Sequence, residues 1–99
     1  MNENDFKLIV FSSFLGAIRN GVRAIAYDRC GSTISIHGYL DRTPDDEDYG
    51  VVNMAISEIM ASCPSLTRQK IELLGTDEPI GRLNSYKGWV FVRHEGDHE

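Results

Sequence analysis

Helix-period and strand-period segments follow one another in the same order twice along these 99 residues: helix, strand, strand, then helix, strand, strand. Leu8, Phe11, Leu15 and Ile18 recur at spacings of 3, 4 and 3 with Phe14 beside them, which predicts a helix from Asp5 to Arg19 that Asn20-Gly21 stops. Val22 to Tyr27 and Thr33 to Leu40 read as strands joined through Asp28-Arg29-Cys30-Gly31-Ser32. The second of these alternates cleanly, with Ile34, Ile36, Gly38 and Leu40 on one side and Thr33, Ser35, His37 and Tyr39 on the other.

The second half repeats the pattern. Thr43 suits an N-cap, Pro44 a first helical residue, and Asp45, Asp46, Glu47 and Asp48 place negative charge at the positive end of the helix dipole. The helix stripe is Tyr49, Val52, Ile56, Ile59 and Cys63, and Pro64 ends it. Gln69 to Leu74 and Lys87 to His94 are the remaining strands, separated by a long loop carrying Gly75, Pro79, Gly81 and Asn84. Glu95 to Glu99 reads as a frayed tail. With no linker and no other repeat, residues 1–99 form a single domain.

The expected fold is therefore α+β, in the order αββαββ: a four-stranded, mainly antiparallel sheet with both helices on one face and its strand order open. Such a sheet is roughly 19 Å wide at ~4.8 Å per strand, and two helices about 10 Å across cover one face of it. The other face is expected to be open. Parity puts Trp89 and Phe91 there, with Val90 and Val92 under the helices, and adds His37, Tyr39, Arg23 and Tyr27. That is an aromatic patch of the kind found at interface centres. Inverted parity, which would bury Trp89 and Phe91, is the alternative.

Lys+Arg 10 against Asp+Glu 15 gives a net charge of −5, with five acids between Asp41 and Asp48. That balance argues against nucleic acid as a ligand and toward a basic protein partner. Cys30 and Cys63 are too few for a secreted disulfide scaffold, so reduced thiols in the cytoplasm are expected. The apolar run Leu8 to Ile18 follows an acidic Met1-Asn2-Glu3-Asn4-Asp5 and falls short of the ~20 residues that span a bilayer, so neither export nor membrane insertion is expected.

Catalytic chemistry is sparse. Cys30 or Cys63 with His37 is the only nucleophile and base combination to weigh, and His37, His94 and a cysteine lack any zinc-site spacing. Consecutive acids such as Asp45 to Asp48 fan out about 100° apart on a helix and cannot converge on one ion. Gly75 to Gly81 lacks the Lys-Ser or Lys-Thr of a phosphate loop. The expectation is no enzyme, no metal and no cofactor.

Several segments bring a family into view. They are Phe14-Leu15-Gly16-Ala17, Val22-Arg23-Ala24-Ile25, Tyr39-Leu40-Asp41 leading to Asp45 through Asp48, and Ser57-Glu58-Ile59 with Pro64. Ile71-Glu72-Leu73, Pro79-Ile80 and Lys87-Gly88-Trp89-Val90-Phe91-Val92-Arg93-His94-Glu95 complete them. The chain resembles the immunity proteins of bacterial contact-dependent growth inhibition systems, over most of its length. The resemblance implies a cytoplasmic protein that binds and neutralises the C-terminal toxin domain of an effector, often a basic nuclease. It transfers no binding residue by motif. Physical reading alone nominates Asp45, Asp46, Glu47, Asp48, Asp77 and Glu78 as an acidic rim and His37, Tyr39, Trp89 and Phe91 as an aromatic centre. The competing readings are a homo-oligomeric adaptor pairing through the open face, and a small cysteine/histidine enzyme.

Overall fold

The computed structural model describes residues 3–94. Its elements are α1 (Glu3–Ser13), β1 (Val22–Cys30), β2 (Thr33–Leu40), α2 (Asp46–Ser62), β3 (Arg68–Gly75) and β4 (Gly88–Val92), with a single 3-10 turn at Ile80–Arg82. The order αββαββ is the expected one, and the expected tail, 95–99, lies outside the described residues.

The sheet runs β3-β2-β1-β4. β1 pairs antiparallel with both β2 and β4, and β3 joins β2 in parallel through the crossover helix α2. Both helices pack on one face: Phe6, Val10 and Phe14 from α1 and Val52, Ala55, Ile56 and Ile59 from α2 share a core with Ile25, Tyr27, Ile34, Ile36 and Val90. The β1–β2 turn is tighter than expected. Cys30 pairs with Thr33, leaving Gly31 and Ser32 as a two-residue loop, and Gly31 takes the positive φ of 60° that primed hairpin turns need.

Four expectations are corrected. The first helix ends at Ser13, not Arg19, because Phe14, Leu15 and Ala17 donate to the carbonyls three residues back and Gly16 (φ 80°) turns the chain away. Its buried stripe is Phe6, Val10 and Phe14, while Leu8 (63% exposed), Phe11 (48%) and Leu15 (67%) face outward. α1 is apolar on two sides, and periodicity cannot choose between them; the Phe6 ring, tilted against Tyr27 at 5.8 Å, marks the inner one. The second helix is capped by Asp45 rather than Thr43, and Tyr49 lies outside its buried stripe.

The third correction concerns parity on β4. A bulge opposite Ile25 and Ala26 sets Phe91 across from Ile25, against the core, and Val92 across from Ala24, where it is 43% exposed. Val90 is buried as expected, and Trp89 lies on the face away from the helices, its ring edge-on to Tyr39 at 6.0 Å. On β1 it is Tyr27 that faces the helices, and Ala24 and Ala26 that do not.

The fourth follows from the topology. β3 and β4 occupy opposite edges of the sheet, so the chain joining them crosses its full width over the face that the helices leave. The segment 76–87 does this as a strap. The Tyr39 hydroxyl donates to the Asn84 carbonyl (2.9 Å), Tyr86 stacks on His37 (centroids 3.7 Å apart), and Lys87 N–H donates to the Tyr27 carbonyl (3.0 Å). Ala24, Ala26, His37 and Tyr39 are consequently buried. The face expected to be open is thus covered over its middle strands, while Glu72 and Leu74 on the β3 side of it stay about half exposed.

The two sides of α1 predict opposite responses to truncation. Phe6→Ala should cost about 3–5 kcal/mol in equilibrium denaturation, whereas Leu8→Ala should stay within about 0.5 kcal/mol. A large loss on Leu8→Ala would restore the stripe expected from spacing.

Candidate functional site

Strand directions gather the acidic segments. β2, β3 and β4 all end where β1 begins, and α2 starts from the same end of the sheet. Asp41, the α2 start at Asp45 to Asp48, and Asp77 and Glu78 after β3 are thereby brought to one end of the molecule.

Within that end the acids divide into two groups. Asp48 is only 3% exposed. Its carboxylate accepts from both terminal nitrogens of Arg42 (2.6 and 2.8 Å), from Arg19 (2.7 Å) and from the Asp45 backbone N–H (2.8 Å). Asp45 returns the bond by accepting from the Asp48 N–H (2.9 Å), which closes a capping box, and pairs with Arg19 as well (2.9 Å). The Arg42 hydrogen bonds hold the Asp48 carboxyl far below the usual carboxylate range, against the opposing effect of burial. Asp45 and Asp48 therefore build the fold. Asp48 is enclosed by these bonds, whereas Asp45 is bonded to Arg19 and the helix start and still keeps about half of its side chain exposed. Glu47 touches Arg19 only at 3.5 Å, and Asp46, Asp77 and Glu78 are exposed and hold no ion pair among the described residues.

A cleft of about 650 Å³ opens beside this network, lined by Arg23, Asp41, Arg42, Thr76, Asp77 and Arg93 among others. Its guanidiniums are occupied. Arg23 donates to the Thr76 carbonyl (2.8 Å), Arg93 pairs with Asp41 (2.9 Å), and Arg42 is held by Asp48. Its lining therefore mixes both signs, three guanidiniums with the carboxylates of Asp41 and Asp77, and the unpaired carboxylates of this end lie at its margin.

The aromatic nominees do not form one surface. His37 and Tyr39 lie beneath the strap, where they position it; His37 Nδ1 is 3.0 Å from Glu72, and burial holds the imidazole below its usual range despite that carboxylate. Trp89 is half-buried beside Tyr39, and Phe91 packs inward. Tyr86, at a positive φ of 50°, sits on a strained backbone secured by its stack on His37 and by an N–H bond to Asn84 Oδ1 (2.7 Å).

Sequence reasoning missed Arg19, Arg42 and Tyr86. The Asp45-to-Asp48 spacing of a capping box would have signalled that those two acids serve the helix start. The nucleophile and base candidates stand apart. Cys30 pairs with Thr33 at the hairpin, four residues from His37, which is roughly 13 Å along a strand. Cys63 is buried at the end of α2, and neither thiol forms a disulfide. No group of three or more His, Cys, Asp or Glu among the described residues could hold a metal ion.

Compared with known proteins, the chain matches the family model of the MafI2 immunity protein over residues 3–95. No curated protein matches it.

Asp48 makes stability depend on acid. A carboxyl whose folded pKa is depressed contributes stability that is complete above its unfolded value near 3.9 and is lost as pH falls through the folded value. Asp48→Asn should cost about 2 kcal/mol at pH 7, the arginines being a third exposed. The gap between variant and wild type should close as urea titrations are moved from pH 5 to pH 2. A gap that is constant with pH would remove the charge from the account.

Proposed function

This chain belongs to the MafI2 immunity protein family and is an immunity protein of a bacterial toxin and immunity system; on that premise we propose that it neutralises a basic nuclease by covering the nuclease's phosphate-binding surface with its acidic end. The carrying observation is the gathering at one end of the sheet of exposed Asp46, Asp77 and Glu78, left over from the internal network, with Glu47 held to it only by Arg19 at 3.5 Å. Carboxylates placed there occupy the field that substrate phosphates would occupy, so inhibition is steric and electrostatic and requires no chemistry of its own.

The likeness to contact-dependent growth inhibition immunity proteins supports an effector's C-terminal domain as the target. The thiols of Cys30 and Cys63 support action in a reducing cytoplasm. Trp89 remains a contact in this reading because it is partly exposed at the sheet edge, whereas His37 and Tyr39 act from beneath by fixing the strap.

Rim charges govern encounter more than residence. The test uses the purified cognate toxin domain. Asp46→Asn, Asp77→Asn and Glu78→Gln together should lower the stopped-flow association rate about tenfold at low salt and flatten its salt dependence. The unfolding midpoint should stay near wild type, since these side chains hold no ion pair among the described residues. An unchanged rate would place the docking surface elsewhere.

A further inference from the structure

Leu8 and Phe11 are three residues apart on the outward side of α1, and Leu15 continues their line beyond it. Single exposed leucines are ordinary, but Leu8 and Phe11 share one helix face, and Leu15 in the turn after the helix adds a third large exposed apolar side chain. Leu8 and Phe11 form one wall of a groove of about 260 Å³ whose other wall is Trp89 and Val90 of β4, with Asn4 and Lys7 completing its lining. β4 is a sheet edge, so no further strand closes the groove. Leu15 leads to the acidic end: four residues on, Arg19 is bonded to Asp45 and Asp48.

We infer that this groove receives an apolar side chain of the toxin and forms the dry centre of an interface whose charged rim is the acidic end. The inference rests on the reading above and adds to it the surface that governs how long the complex lasts. Charge and area favour this occupant over a second copy. A helix of 11 residues is about 16 Å long, and two such faces supply far less than the roughly 800 Å² per partner of a stable interface. Each copy also carries a net charge of −5, so self-association works against like-charge repulsion. A basic toxin reverses that term at the adjoining acidic end, leaving the groove to supply desolvated apolar contact.

The test again uses the purified cognate toxin domain. Leu8→Ser with Phe11→Ser should raise the dissociation rate roughly thirtyfold while leaving the association rate and its salt dependence unchanged. Met54→Ser, at an exposed position on α2, should change neither rate. Should the double variant unfold, the uncharged single variants Leu8→Asn and Phe11→Ser carry the same measurement. Unchanged dissociation from well-folded variants overturns the inference while the acidic-end reading stands. Sedimentation velocity showing a dimer of the free chain that Phe11→Ser dissociates overturns it too, by making a second copy the occupant. A wild-type chain that does not bind the toxin domain removes the underlying reading and this inference together.

Discussion

The placement of β3 and β4 on opposite edges of one sheet is the constraint from which most of this structure follows. A connection between them passes the two strands that lie between, β2 and β1, and the helices already hold one face. The strap is therefore a requirement of topology, and its contacts explain side chains that would otherwise look misplaced. His37 and Tyr39 are polar aromatics on the helix-free face because they meet a loop backbone and a stacked ring rather than water. Ala24 and Ala26, on the same face, are fully buried. The same arrangement covers the middle strands of a flat face that, left exposed in a small sheet protein, invites pairing between copies.

Asp48 performs the matching role at the end of the sheet. One buried carboxylate joins the segment entering β1 through Arg19, the segment leaving β2 through Arg42, and the first turn of α2 through the Asp45 backbone. Removing a charge so enclosed takes from two guanidiniums their shared buried acceptor, leaving Arg19 to Asp45 and Arg42 to the Asn20 carbonyl, a larger loss than that of a surface ion pair. The negative charge at the helix start is thus fixed by internal bonding, and the rest of the acidic end is arranged around it.

Element order, the full extent of β2 and the α2 stripe from Val52 to Cys63 were legible in the sequence because each rests on a period that burial enforces on one side only. Where two sides were apolar, as in α1, spacing pointed to Leu8, Phe11 and Leu15, and the core took Phe6, Val10 and Phe14. Phe91 was misplaced because a bulge inserts one residue and reverses parity beyond it, and no local residue type announces that bulge. The candidate site was half legible. Its acids were visible as a charge run, but Arg19 and Arg42 lie 29 and 6 residues from Asp48, and only the closed fold shows which carboxylates they claim. Strand order, and with it the strap, depends on pairings between distant segments.

The split between bonded and unbonded acids has an evolutionary consequence. Asp45 and Asp48 cannot change without a cost in folding, whereas Asp46, Asp77 and Glu78 hold no ion pair among the described residues and can change charge, or shift by a residue, at little cost to stability. Selection on partner choice can act on the second set while the first stays under selection for stability. A lineage of such chains can follow a drifting toxin by exchanging surface carboxylates one at a time, each intermediate remaining folded.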